Sequence, residues 1–132
     1  MKESNFFLIK QPVIKKMDFT GNNDFSFGND SKVKLDIQIK KESSTKERKA
    51  QITLSLTLNN DCKIDEVPFV LKSEIVGQFA WNEEATKEEI EHFINANAPS
   101  ILLSYMRPVM SNIITYSGFP AFIIPFLDLR MG

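Results

Sequence analysis

Side chains able to carry covalent or acid–base chemistry are few in this chain of 132 residues, and their spacing suits it badly. His92 is the only histidine and Cys62 the only cysteine, so a Ser-His-Asp or Cys-His arrangement would rest on one imidazole. That imidazole lies two residues before Ile94 on a charged helical stretch, where exposure is expected. No Gly-x-Ser-x-Gly turn and no glycine-rich phosphate loop occurs. A zinc site needs more ligands than one Cys and one His comfortably supply. Glu83-Glu84 and Glu88-Glu89 fall in the hydrophilic start of a helix, where carboxylates complement the helix dipole. Cys62 follows the turn-forming Asn59, Asn60 and Asp61, with Lys63 as its one basic neighbour to activate the thiol. A lone cysteine excludes an intramolecular disulfide and suits a reducing cytosol. The expectation is a protein with no enzymatic activity, no cofactor and no metal.

Apolar surface is what the chain offers instead. From Ala98 to Gly132 only Arg107, Asp128 and Arg130 are charged, whereas the first two thirds are densely charged. Within this stretch Ile101, Leu102, Tyr105, Met106, Val109, Met110, Ile113, Ile114 and Tyr116 recur with helical spacing. They cover an arc of roughly 220°, about twice the stripe of an ordinary surface helix. Ser100, Ser104, Arg107, Ser111 and Thr115 form the narrow polar edge. Such a helix has more to bury than one sheet can cover, and the economical second partner is a copy of itself. Ile101, Leu102, Tyr105, Met106, Val109, Met110 and Ile113 are therefore the candidate oligomer interface. Pro108 to Leu127 runs twenty residues without a charge, but Pro108, Gly118, Pro120 and Pro125 interrupt it, so membrane insertion is not expected. No signal peptide is expected either, because only four apolar residues separate Met1–Asn5 from Lys10. With a net charge of −1, no attraction to nucleic acid is implied. The basic cluster Lys40, Lys41, Lys46, Arg48 and Lys49 is broken by Glu42 and Glu47 and suits a solvated hairpin tip.

Four stretches with the period of strands must position this helix. Phe6 to Phe19 reads as one long strand, with Phe7, Ile9, Val13, Met17 and Phe19 on one face and an irregularity near Pro12. Val33, Leu35, Ile37 and Ile39 alternate with polar residues, as do Ile52, Leu54, Leu56 and Leu58 across a loop at Lys41 to Lys49. Val67 to Trp81 is the fourth. Strands apolar on one face only indicate an antiparallel sheet covered on one side. Thr86-x-x-Glu89 is a capping box opening a short helix, and Asn97-Ala-Pro99 is expected to start a second, longer one in which Pro108 makes a kink. The fold class is α+β: a four-stranded antiparallel sheet followed by a short and a long helix on one face, in one domain over residues 1–132.

The segment Ser100-Ile-Leu-Leu-Ser-Tyr-Met-Arg107, followed by Gly118-Phe-Pro120, resembles the helix and following loop of the SecB family of bacterial cytosolic export chaperones. Pro99, Ile101, Leu102, Tyr105, Arg107, Phe119 and Pro120 fall on the family pattern without a gap, and Val33-Lys-Leu-Asp-Ile37 resembles its second strand. The resemblance implies a cytoplasmic, ATP-independent holdase that binds unfolded polypeptides, including preproteins for export, in apolar grooves. It implies a homotetramer built as a dimer of dimers, with first strands paired across each dimer and long helices joining the dimers. By carry-over, the candidate client-binding residues are Val33, Leu35, Ile37, Phe119, Phe122 and Phe126.

The family's SecA motor is a further possible partner, against which two departures weigh. Family members continue past the present Arg130-Met-Gly132 with another helix and an acidic tail. Lys72 also falls where they often carry a glutamate, with Glu74 two residues on. A SecB-like chaperone dedicated to an antitoxin fits the shorter end. Two other classes stay open: a module binding one small apolar ligand inside the sheet–helix cavity, and a subunit of a fixed assembly. Phe119 and its neighbours equally suit closure of the core.

Overall fold

Alternation decides the sheet. The structure, a computed structural model, describes residues 5–25 and 33–119. Strands β1 (Phe6–Leu8), β2 (Val13–Gly21), β3 (Leu35–Ser44), β4 (Lys49–Leu58) and β5 (Phe69–Trp81) form one antiparallel sheet. β1 and β2 both pair with β5, β5 with β4, and β4 with β3. The sheet is thus four ranks wide, because β1 and β2 lie end to end along one edge of β5.

That edge departs from the expected single strand. Leu8 stands opposite Phe79 and Val13 opposite Val76, so the chain holds more residues than its partner around Pro12, which has no amide to give the ladder. A second irregularity, between Ile14 and Lys16, leaves Lys15 as an extra residue. The expected parity is therefore broken. Phe7, Ile9 and Val13 are 54%, 44% and 42% exposed, whereas Met17 and Phe19 pack against the core, joined by Phe6 and Leu8. The loop expected over Lys41 to Lys49 is also shorter. Pairing continues to Ser44 opposite Lys49, and a tight turn with Arg48 at φ +55° closes the hairpin.

After β5 comes α1 (Lys87–His92), opened by the capping box in full: the Glu89 amide donates to Thr86 Oγ1 at 3.1 Å, and the Thr86 amide to Glu89 Oε1 at 2.9 Å. The expected break before Pro99 is absent. Instead Phe93–Asn97 forms a π turn, in which the Ala98 amide reaches back to the Phe93 carbonyl, and α2 (Ala98–Tyr116) follows directly. The wider turn accommodates a proline in the first turn of α2 while keeping the helical path continuous. Pro108 lies inside α2 and withholds the amide that would otherwise bond the Ser104 carbonyl.

α2 packs chiefly across β4 and β5. Ile52, Leu54, Leu56 and Leu58 of β4, with Leu71, Ile75 and Phe79 of β5, meet Leu102, Met106, Met110 and Ile114 in an apolar core. Two small residues of β5 let the helix approach. Ser73 turns its hydroxyl to the Leu56 carbonyl at 2.7 Å beneath Met110. A Cβ on Gly77 would lie 2.7 Å from Leu102 Cδ2 and 2.8 Å from the Phe79 ring. Gly77→Val therefore forces two buried side chains aside and destabilises the fold by about 1–3 kcal/mol. Urea unfolding tests this; a lower midpoint at unchanged slope is expected, and a wild-type midpoint would contradict it.

Candidate functional site

The site is built from what α2 does not cover. Leu35, Ile37 and Ile39 of β3 stand opposite Leu58, Leu56 and Leu54 of β4 and so share their face of the sheet. The β4 residues are wholly buried, while the β3 residues, with Val33 beside them, are only half-buried. The other flank is closed by aromatic rings. Phe93, delivered by the π turn, stacks on Phe6 of β1 with centroids 4.3 Å apart and meets Phe79 edge-on at 5.4 Å. Phe119 meets Phe19 of β2 at 6.0 Å and Phe69 of β5 at 5.6 Å.

Phe119 reaches that flank because of how α2 stops. The Gly118 amide bonds the Thr115 carbonyl at 3.1 Å, and the Phe119 amide bonds the Ile114 carbonyl at 3.3 Å, with Gly118 at φ +91°. This is a Schellman cap, which needs glycine at the left-handed position and sets the next residue against the last helical turn. Gly21 leaves room for the ring, since a Cβ there would lie 2.8 Å from it.

β3 is the outer rank of the sheet, and among the described residues no strand pairs with its far edge. Its two ends are fastened. At one, Asn59 adopts φ +58° and is 1% exposed. Its amide donates to the Lys34 carbonyl at 2.8 Å, its Oδ1 accepts from the Lys34 amide at 2.9 Å, and its Nδ2 donates to the Phe69 carbonyl at 2.9 Å. One side chain thereby ties β3, β4 and β5 together. The exposed Lys34 ammonium bonds Asp61 Oδ2 at 3.2 Å, and that hydrogen bond and charge hold it above the usual lysine range. At the other end Lys41 Nζ donates to Asn95 Oδ1 in the π turn at 2.6 Å. Between these ties lies a half-open apolar ledge beside a main-chain edge that no described strand pairs.

Of the sequence-predicted client residues, Leu35 and Ile37 lie on this ledge and Val33 just before β3. Phe119 is 8% exposed and belongs to the closed flank; Phe122 and Phe126 lie outside the described residues. The predicted interface divides in the same way. Leu102, Met106 and Met110 are fully buried against the chain's own sheet. Ile101 and Ile113 are half-buried and pack against the core, Val109 is half-buried, and Tyr105 at 40% and Tyr116 at 84% are exposed. In the sequence, Asn59 marks only a turn. Its signal was an Asn, the side chain most tolerant of the left-handed region, at the end of an alternating strand.

Other features lend less to a site. Depressions of 310 Å³ and 530 Å³ lie on the opposite sheet face, lined by polar side chains such as Gln51, Gln78, Thr53 and Glu74. Among the described residues, no cluster of three or more His, Cys, Asp or Glu is placed to hold a metal ion, and no helix is long and apolar enough to cross a membrane.

Because Asn59 carries the start of β3, Asn59→Gly, which keeps the backbone angle and removes the side chain, leaves the Lys34 amide and the Phe69 carbonyl without their partner. A loss of about 1–3 kcal/mol is expected, with faster amide exchange at the start of β3. Unchanged exchange there would contradict the role given to Asn59.

Comparison with known proteins gives this geometry a relationship. A family model for SecB, the preprotein translocase subunit SecB, matches residues 2–130. The protein-export protein SecB of Idiomarina loihiensis is 30% identical over 88 residues, covering 67% of this chain and 52% of the relative. That of Anaplasma phagocytophilum is 27% identical over 78 residues, covering 57% and 49%. The matched region thus spans about half the length of these relatives. Among solved structures, the Mycobacterium tuberculosis SecB-like chaperone Rv1957, in complex with a ChAD peptide from the Rv1956 HigA1 antitoxin, superposes with a TM-score of 0.69. It shares 10% identity, and the match covers 94% of this chain and 88% of that one, which establishes a shared fold. With a family match across nearly its whole length, the chain belongs to the SecB family.

Proposed function

We propose that this chain is an ATP-independent holdase that keeps unfolded polypeptides from aggregating, with no covalent chemistry and no cofactor, as a single chaperone domain working in the cytoplasm. The observation that carries the reading is the contrast across one strand pair: Leu54, Leu56 and Leu58 are wholly buried, while Ile39, Ile37 and Leu35 opposite them are half-open. A client in extended form lays apolar side chains on that row and adds main-chain hydrogen bonds along the free edge of β3. Both contributions tolerate varied sequence, which suits a protein that binds many clients. Self-association through the outer face of α2 brings several ledges into one particle and lets one long client engage more than one of them.

Protein export is the first role for such a chaperone, supported by the export relatives. Dedication to an antitoxin is a second, supported by the SecB-like neighbour that was solved with an antitoxin peptide. SecA is not included as a partner. On the outer sheet face Lys72 stands opposite Asp18 and Glu74 opposite Lys16, a neutral alternation and not an acidic surface.

Purified protein is expected to delay the scattering of a slowly refolding, chemically denatured preprotein without ATP. Ile37→Asp places a charge on the half-open row and is expected to weaken client binding about tenfold or more while the chain stays folded. Wild-type protection by Ile37→Asp would contradict the ledge as the client site.

A further inference from the structure

The direction of the main-chain groups along β3 follows from its tied end. The Lys34 amide donates to Asn59 Oδ1, and the Lys34 carbonyl accepts from the Asn59 amide, so both groups of Lys34 turn toward β4. In an antiparallel ladder that direction alternates from residue to residue. Asp36, Gln38 and Lys40 therefore turn toward β4, in a register without shifts. Leu35, Ile37 and Ile39 turn their amides and carbonyls to the edge that no described strand pairs. The residues of the apolar row are thus also the ones that present hydrogen-bonding groups. A strand added antiparallel forms its hydrogen-bonded pairs with these three. Its intervening residues fall opposite Asp36, Gln38 and Lys40, in the non-hydrogen-bonded positions where facing side chains approach most closely.

These three residues carry opposite charges at their two ends. Asp36 is half-buried, Lys40 is exposed, and neutral Gln38 stands between them. On the β4 side they face Thr57, Ser55 and Thr53, which neutralise neither charge. Lys40 reaches Glu42 at 3.4 Å, but both side chains are well exposed and such a pair is weak. Among the described residues Asp36 makes no ion pair. We infer that the edge of β3 selects client segments by direction and charge, taking an extended stretch that runs antiparallel to β3 and reads acid, apolar, neutral, apolar, base from its amino end. The acid meets Lys40, the two apolar residues lie beside Ile39 and Ile37, and the base meets Asp36. Exchanging the two charges sets like charges face to face at the closest positions. An antiparallel client continues the pairing of every other strand in this sheet, and parallel pairing is slightly less stable. The inference rests on the proposed client site and adds to it the direction and charge pattern of the segments it takes.

The test uses the full chain and two peptides of identical composition, with blocked ends and flexible Gly-Ser flanks. One contains Glu-Ile-Gln-Ile-Lys-Ile and the other Lys-Ile-Gln-Ile-Glu-Ile. Fluorescence anisotropy is expected to show the first binding about tenfold tighter at low salt, with the advantage shrinking as salt is raised. A chain carrying both Asp36→Lys and Lys40→Glu, changes confined to the outer sheet face, is expected to prefer the second peptide. Equal affinities that Ile37→Asp abolishes overturn the direction while the ledge stands as the client site. A wild-type preference for the second peptide also overturns it, and so does a preference that the double variant leaves unchanged. Binding of neither peptide, or binding that Ile37→Asp leaves intact, overturns the ledge reading and this inference with it.

Discussion

One helix cannot cover four strands. An α-helix is about 10 Å across with its side chains, and strands lie about 4.8 Å apart, so α2 can shield roughly two ranks of this sheet. It shields β4 and β5, whose inward residues are wholly buried. The outer ranks must find other cover, and on the β1–β2 side they do. The π turn brings Phe93 over Phe6, and the Schellman cap at Gly118 brings Phe119 over Phe19. Both departures from regular helix serve one end, reaching a flank that the helix body misses. β3 receives no such ring among the described residues, and its inner row stays half-open.

The same constraint shapes α2. A helix laid over two strands buries one stripe, here Leu102, Met106, Met110 and Ile114. The apolar arc is wider than that stripe, so its remainder faces outward with Tyr105 and Tyr116 exposed. Among the described residues two apolar surfaces are thus left partly uncovered, a ledge on the sheet and the outer side of the helix. They are separate elements, so the proposed self-association through the helix leaves the ledge open to the proposed client.

Much of this was legible in residue order. Alternation in β3, β4 and β5 fixed their faces, and Thr86 and Glu89 announced the helix start, because these are local patterns. The wide arc announced that α2 had two faces to satisfy, but not which residues served which. Leu102 and Tyr105 look alike in a helical projection, and only the position of the sheet separates a core residue at 0% exposure from a surface one at 40%. Phe119 was ambiguous for the same reason. Its burial depends on Gly21, nearly a hundred residues away in the chain. The parity of the first strand is not legible in the sequence, because Lys15 is an extra residue and a bulge reverses every facing after it. The helix break expected at Pro99 gave way to a π turn, a solution that a rule about prolines does not anticipate.

On the proposed function, an unfolded chain binds the half-open outer rank of the sheet. Hydrogen–deuterium exchange of the protein with and without a bound, permanently unfolded client tests it most directly. New protection is expected in β3, from Leu35 to Ser44, where edge amides gain partners, with β4 and β5 already protected and little changed. Protection confined to the polar outer face, or absent from β3, would contradict it.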